Sequence, residues 1–472
     1  MKQKTDKSRL RSDKRESSYM KRLANTGLKY VSIYIILIIV FLISLTSVCL
    51  IPPKSMKENV SESADLLNKE GNYVFFDLGY TWLILDNYTD ALMINTSYSA
   101  DNTTPLLSAL TARKNYIPGK TKIVYPDPVF ELKSASKYKF LNQVSELKDT
   151  VSDDIEESFE YARYWHGYLL YLRPLLTFLN YGSIRSLFIM LLTLLGFCLL
   201  YMLYKQINIV AALIFLNALL AIEYFFVGMT MQSSSMFFIA MSASIYVLAR
   251  FEKQKDFSMF FFITGALTSF IDLSSAPLIT LGMPLIIYFI LLQNQRELSF
   301  RETATTIFKF CMNWGLALII ILFSKWLIVD LIYNKGVIQS SLLQLAYRST
   351  GSGKDIEISF LETLSQNLLL IRSYMIFLGI QCFVVFLVVT IKNKKINISF
   401  NINDLLPYII IAFMCPAWYF LARQHSFQHA LFTYRVQIIT IIAIQILIAK
   451  IFGIYKHNTR KAVNNDKRKT SL

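Results

Sequence analysis

Ten blocks of apolar residues, separated by polar or charged stretches, constrain this chain more than any other feature. They run over 30–51, 186–204, 207–229, 233–250, 257–271, 276–292, 308–333, 374–391, 405–422 and 436–454. A helix that crosses a bilayer core needs roughly 17–25 predominantly apolar residues. Inside the hydrocarbon, helices satisfy their own backbone polar groups. The pattern predicts an all-α polytopic membrane protein with about ten transmembrane helices and a large extracytoplasmic first loop. The block at 257–271 is among the shortest. Composition agrees: 54% of the 472 residues are hydrophobic and 17% charged, against roughly 45–50% and 25% in soluble domains.

The net charge of +16 sits mostly at the two ends, in "MKQKTDKSRLRSDKRESSYMKR" and "KHNTRKAVNNDKRKTSL". Basic residues beside spans mark cytoplasmic segments. Ten spans from a cytoplasmic start bring the other end back to the cytoplasm, and they put the charged connections 249–256, 293–302 and 392–397 inside. The charge is therefore read as topological anchoring, with membrane lipid and not nucleic acid as its partner. The expected pieces are a basic tail (1–29), a first span (30–51), a loop domain (52–185), spans two to ten (186–454) with an outer loop (334–373), and a second basic tail (455–472). The first span reads as an anchor, since a long charged stretch precedes it and no small-residue cleavage pattern follows. All five cysteines fall within apolar spans, which leaves no disulfide framework or CxxC metal site. Abundant Lys, Ile and Asn with little Gly point to a bacterial chain and hence to a bacterial plasma membrane.

The loop domain has structure of its own. Residues 61–71 read as a short helix stopped by Gly71. Residues 80–100 have helical spacing, and 121–132 read as extended pieces broken by prolines. Residues 152–186 form one amphipathic stretch with an acidic start, and the Tyr, Trp and Arg of its second half suit a helix at the membrane interface.

Ionisable groups at membrane depth are costly and face cavities or partners. In this topology Glu223, Asp272, Lys325 and Asp330 lie toward the outside. So do Arg163, His166 and Arg173 on the amphipathic stretch, and His425, His429 and Arg435 in "ARQHSFQHALFTYRVQ" (422–437). The inner halves of the spans hold almost none. This asymmetry predicts one outward-opening polar site. A coupled transporter needs polar groups or broken helices near the midplane, and "APLITLGMPL" (276–285) is the one stretch that supplies breaks.

Five stretches carry a resemblance: "LDNYTDALMINTSY" (85–98), "ARYWHGYLLYLRPLLTFLNYGSIR" (162–185), "QSSSMFFIA" (232–240), "FIDLSSAPLITLGMPLIIY" (270–288) and "HSFQHALFTYR" (425–435). Together they resemble an uncharacterised family of bacterial multi-pass membrane proteins. More remotely they resemble the GT-C superfamily of integral-membrane glycosyltransferases. That resemblance implies transfer of a sugar from a polyprenyl-phosphate carrier to a glycan acceptor on the outer face. It also implies a catalytic carboxylate in the first loop. "LDNYTDA" matches that acidic segment, which makes Asp86 the first candidate and Asp90 the second. The Asp-Glu pair common in GT-C families stands here as Asp86-Asn87.

The chemistry is consistent with these residue types. Transfer to a hydroxyl needs a carboxylate base within hydrogen-bond reach. Asp86 and Asp90 are four apart, on one helix face. A lipid phosphate leaving group calls for Arg, whose planar fork matches phosphate oxygens. Arg163, Arg173 and Arg435 are the candidates, with His166, Asp272, His425 and His429 as further substrate-binding groups. His425 and His429 have the i, i+4 spacing of a metal-binding helix face, which His166 or Asp272 would complete. The HExxH pattern is missing because Ser426 follows His425, so no metal or other cofactor is expected. The rival expectations are a transporter or flippase of lipid-linked glycans and a non-catalytic subunit of a surface-polysaccharide complex.

Overall fold

A computed structural model describes residues 2–77, 82–116, 123–124, 140–152, 157–271, 275–350, 358–393 and 401–455. All ten apolar blocks are largely helical. Among the described residues, six helices are long and apolar enough to cross a membrane: Ala24–Cys49, Tyr181–Gln206, Met231–Arg250, Phe300–Tyr333, Ile402–Leu421 and Ala430–Ile451. A seventh span exists if Phe360–Leu369 and Arg372–Gln381, bent by 74°, count as one. The three remaining blocks form the shorter helices Ile209–Ala221, Ser258–Ile271 and Ile279–Gln295. At 1.5 Å per residue the first of these spans only about 20 Å, short of a core about 30 Å thick. The chain is a helical multi-pass membrane protein, and its ten apolar blocks include six full-length spans.

The helices are numbered here in chain order. Helix α1 (Lys2–Cys49) buries Phe41, Leu45 and Cys49. These are four apart and make one stripe. Ile35, Ile36, Ile39, Val40 and Ile43 are exposed on its other faces, as suits a helix in lipid. After a 3-10 turn (Pro53–Met56), α2 (Lys57–Glu70) buries Val60, Ala64 and Leu67 and stops at Gly71, φ +84. Strands β1 (Tyr73–Asp77) and β2 (Trp82–Asp86) pair antiparallel, Tyr73 opposite Asp86. Then come α3 (Asn87–Tyr98), α4 (Pro105–Thr111) and α5 (Gln143–Ser152). Strand β3 (Arg113–Asn115) pairs with β6 (Ser158–Glu160), and β4 (Ile123–Val124) with β5 (Phe140–Leu141).

Two stretches differ from their sequence reading. Residues 82–86 are strand because they pair with 73–77, and helix begins only where Asp86 caps α3. Within 152–186, the described residues 157–186 do not form one continuous helix. They contribute β6, an irregular loop over 161–168, α6 (Leu169–Leu176) and the start of α7 (Tyr181–Gln206). His166 breaks the pattern at φ +56, a left-handed conformation uncommon outside glycine. Gly167 follows because any Cβ there would lie 2.5 Å from the Phe270 carbonyl, which accepts its amide at 2.9 Å. Several aromatic residues of the stretch face inward, with Trp165, Tyr168 and Tyr181 fully buried, whereas Phe159 and Phe178 are exposed.

The loop domain and the bundle share a core. Met56, Val60, Ala91, Ile94 and Leu147 of the loop domain join Phe41 and Leu45 of α1, Phe188 of α7, Met231, Phe270 and Ile321 in one apolar cluster. A second cluster is centred on α11 (Ile279–Gln295), numbered after α8 (Ile209–Ala221), α9 (Met231–Arg250) and α10 (Ser258–Ile271). Every residue of α11 from Ile279 to Gln293 is buried, the pattern of a helix apolar all round. Helix α12 (Phe300–Tyr333) then returns to the loop-domain face, where α13 (Val337–Thr350), α14 (Phe360–Leu369) and the segment 422–436 also lie.

Candidate polar site on the loop-domain face

The ionisable residues gathered on this face divide into two groups by how their hydrogen bonds are used.

In the first group nearly every polar atom is consumed. Arg173, on α6, is fully buried. It donates from Nε to the Val48 carbonyl at 2.9 Å, and from its two Nη atoms to the Ser97, Ala100 and Ile51 carbonyls. These acceptors close the C-termini of α1 and α3, where the helix dipole favours a cation. Lys325, on α12, donates to the Ala109 carbonyl at 2.9 Å in the last turn of α4 and lies 5.3 Å from the Trp165 ring. Trp165 Nε1 in turn donates to the Ile321 carbonyl at 2.8 Å. His166 Nε2 lies 2.7 Å from the Tyr161 carbonyl and Nδ1 lies 3.0 Å from the Tyr168 hydroxyl. A carbonyl only accepts, so the proton sits on Nε2 and Nδ1 accepts. Burial pushes this imidazole down to about 3, and it stays neutral.

Asp90, fully buried on α3, belongs to the same group. Its carboxylate accepts from the Met231 amide at 2.9 Å, the Gln232 amide at 3.2 Å and the Tyr181 hydroxyl. It thereby caps α9 from another segment of the chain, satisfying orphan amides of the first turn. Burial pushes its carboxyl up to about 7 against these donors. Beside it Arg185 binds Glu70 at 2.8 Å, Asn87 Oδ1 at 2.6 Å and the Met229 carbonyl at 2.9 Å. Asp330 accepts from the Val337 and Ile338 amides at 2.7 and 2.9 Å and caps α13.

The second group is less saturated. Asp86 is buried at the N-cap of α3 and accepts from Thr89 N at 3.0 Å and Thr89 Oγ1 at 2.6 Å. A carboxylate has about four acceptor positions, so two stay open after the cap. Burial raises the Asp86 carboxyl from its ordinary range, while the Thr89 bonds and the nearby Arg435 guanidinium oppose the shift. Arg435 is 3% exposed. Its Nη1 makes two long contacts, 3.4 Å to Ser233 Oγ and 3.3 Å to the Leu431 carbonyl, and its plane lies 4.7 Å from the Tyr434 ring centre. Nε has no hydrogen-bond partner. Tyr434 donates to Glu223 at 2.8 Å. Ile84 packs with Ala430, which brings β2 against the 422–436 segment.

Next to this pair stands a cationic, aromatic cluster. Arg348 of α13 donates to His425 Nδ1 at 3.3 Å, bonds Tyr161 and lies 5.7 Å from the Tyr164 ring centre. The His425 and His429 rings are 4.8 Å apart, and His429 stacks on Phe432. Burial, with the Arg348 charge adding to it, pushes His429 down to about 3. Arg163 lies 5.3 Å from the Tyr161 ring centre. Tyr88 feels both Asp86 and Tyr161, which links the cluster to the Asp86–Arg435 pair. Asp272 lies outside the described residues. Among the described residues no three His, Cys, Asp or Glu side chains are grouped as a metal site.

The structure therefore brings Asp86, Arg435, Arg163, His425 and His429 to one region and engages Asp90, Arg173 and His166 in the joint between loop domain and bundle. Sequence reasoning missed Arg348, Arg185 and Gln232. Arg348 sits on an exposed-looking helix of the 334–373 loop. For Gln232 a signal existed in the polar run "QSSS" that opens an otherwise apolar span. No protein-family model, curated protein or solved structure matches the chain significantly.

Proposed function

We propose that the chain is a GT-C-like membrane glycosyltransferase that moves a sugar from a polyprenyl-phosphate carrier to a hydroxyl acceptor. By the basic-residue bias of its connections, the loop-domain face is the outer face of a bacterial plasma membrane and both ends of the chain lie in the cytoplasm. The observation that carries the reading is the burial of Asp86 within electrostatic reach of Arg435, an arginine with an unused Nε. In this reading Asp86 takes the proton of the acceptor hydroxyl. The acceptor oxygen forms the new bond to the anomeric carbon, and the bond from that carbon to the carrier phosphate breaks. The phosphate leaves as an anion held by Arg435, with Arg348 and Arg163 adding positive potential. A carboxyl raised from its ordinary range is a better base near neutral pH. A non-catalytic role is favoured by one observation: both Asp86 oxygens already serve the α3 cap.

The test is transfer from a radiolabelled polyprenyl-phosphate sugar by purified protein. Asn is as good an N-cap as Asp, so Asp86→Asn retains the helix start while removing the base. The expected result is a loss of transfer of about 10²–10⁴-fold with an unchanged melting profile. Full transfer by the variant assigns Asp86 to the cap alone.

A further inference from the structure

Three carboxamides from three helices meet within the bundle. They are Asn217 of α8, Gln381 of the helix Arg372–Asn393 and Gln445 of the last helix, Gln437–Ile451. Asn217 Nδ2 donates to Gln381 Oε1 at 2.7 Å and to Gln445 Oε1 at 3.1 Å, which uses both of its N–H groups. Each glutamine amide uses one. Gln381 Nε2 donates to Asn217 Oδ1 at 3.4 Å, and Gln445 Nε2 donates to the Tyr374 hydroxyl at 3.4 Å. Among the described residues, one N–H of each glutamine is left over. Polar side chains do join helices inside membranes, and Asn367 is such a lock in this chain. It is fully buried, donates both N–H groups to the Thr363 and Ser426 carbonyls at 2.9 Å, and accepts from the Thr433 hydroxyl at 2.8 Å. The two glutamines differ from it in keeping an unused donor each, and an unused N–H away from water is costly.

The three amides line one groove of about 740 Å³ between the same three helices. The rest of its wall is apolar, and among the described residues no Asp, Glu, Lys, Arg or His lines it. Apolar walls with a few convergent polar groups, in a volume of roughly 300–1,000 Å³, are the usual make-up of a small-molecule site. Leu213, Leu220, Phe377 and Ile380 line the groove and are exposed, so in a membrane-spanning chain it opens to lipid. Along α8 the wall runs from Val210 to Leu220, about 15 Å at 1.5 Å per residue. A bilayer core is about 30 Å thick, so the groove is too short to seat a further transmembrane helix. Donors with no charge beside them suit a neutral acceptor. We infer that Gln381 and Gln445 bind the carbonyl oxygen of an uncharged, membrane-soluble molecule of the quinone or aryl-ketone class, whose apolar body lies in this groove. Asn217 holds the two glutamines in place. The site stands apart from the transferase reading, since neither Asp86 nor Arg435 lines it.

The experiment measures equilibrium binding of a radiolabelled decyl-substituted benzoquinone to the full chain in nanodiscs, with empty nanodiscs as background and decylbenzene as competitor. Saturable binding is expected, with decylbenzene at least tenfold weaker because it has no carbonyl. Gln381→Leu and Gln445→Leu are each expected to weaken binding about fivefold, as loss of one neutral hydrogen bond would, and the double variant at least tenfold. Leu213→Trp, at an exposed position of the groove wall, fills the groove and replaces none of the amides. It is expected to weaken binding about tenfold with an unchanged melting profile. Where the leucine variants fail to fold, Leu213→Trp and the decylbenzene competition decide the matter. No saturable binding to the wild-type chain overturns the inference. So does equal competition by decylbenzene, and so does wild-type affinity in a folded double variant or in Leu213→Trp.

Discussion

Arg173 and Arg435 are both buried arginines on the loop-domain face, and the contrast between them organises the molecule. Arg173 faces backbone carbonyls with all three of its nitrogens and closes two helix ends. Arg435 makes two long bonds from Nη1, also engages Tyr434, and leaves Nε unused within electrostatic reach of a buried carboxylate. Asp90 and Asp86 repeat the contrast four residues apart. Asp90 is saturated by amides of α9 and the Tyr181 hydroxyl, whereas Asp86 keeps acceptor capacity. Residue type and membrane depth do not separate the two roles; hydrogen-bond saturation does. The saturated set forms a joint between loop domain and bundle, and the unsaturated set forms the proposed ligand site.

The largest effect that divides the two sets is on transfer. Arg435→Gln should reduce it by at least about 100-fold, since one charge-stabilising donor at a reacting centre contributes about 10²–10³. Its melting temperature should stay near wild type. Arg173→Met should do the reverse and destabilise the protein by about 3 kcal/mol or more, because several buried carbonyls lose their donor. Thermal melts in detergent check both. Equal destabilisation by the two substitutions would erase the distinction between joint and site.

A smaller effect sharpens the Asp90 assignment. Its folded carboxyl titrates at about 7, above the roughly 3.9 of an unfolded chain. Between those values the folded state holds the extra proton, so this group's contribution to stability declines as pH rises from about 4 through 7. Asp90→Asn removes that slope and retains an acceptor for the α9 amides. Relative to wild type, the variant should therefore melt at a higher temperature at pH 8 than it does at pH 5. Identical pH slopes for the two proteins would place Asp90 outside the buried cap. The smallest effect concerns strain. His166→Asn suits the left-handed backbone at φ +56 but loses the long reach to Tyr161 and Tyr168. It should change stability by no more than about 2 kcal/mol in melts.

The membrane class and the helical blocks were legible because they rest on local composition. The stripe Phe41, Leu45, Cys49 can be read straight from its spacing. The division of polar residues into joint and site was not legible, since it depends on partners far along the chain. Arg173 meets Val48 across 125 positions, and Asp90 meets Met231 across 141. The amphipathic stretch 152–186 is not one continuous helix because of one left-handed residue and the tertiary pairing of β6 with β3, neither of which an apolar period reports. Arg348 escaped notice because its helix carries no charge pattern that sets it apart from a solvated face.

The central claim is that Arg435 is left partly unpaired in order to meet an anionic ligand. Melting of the purified wild-type chain and of Arg435→Gln, each with and without saturating farnesyl phosphate, tests it directly, because a ligand that binds the folded state raises its stability. The account predicts a ligand-induced rise in melting temperature for wild type that disappears in Arg435→Gln while the ligand-free melts coincide. An equal rise in both proteins would contradict it.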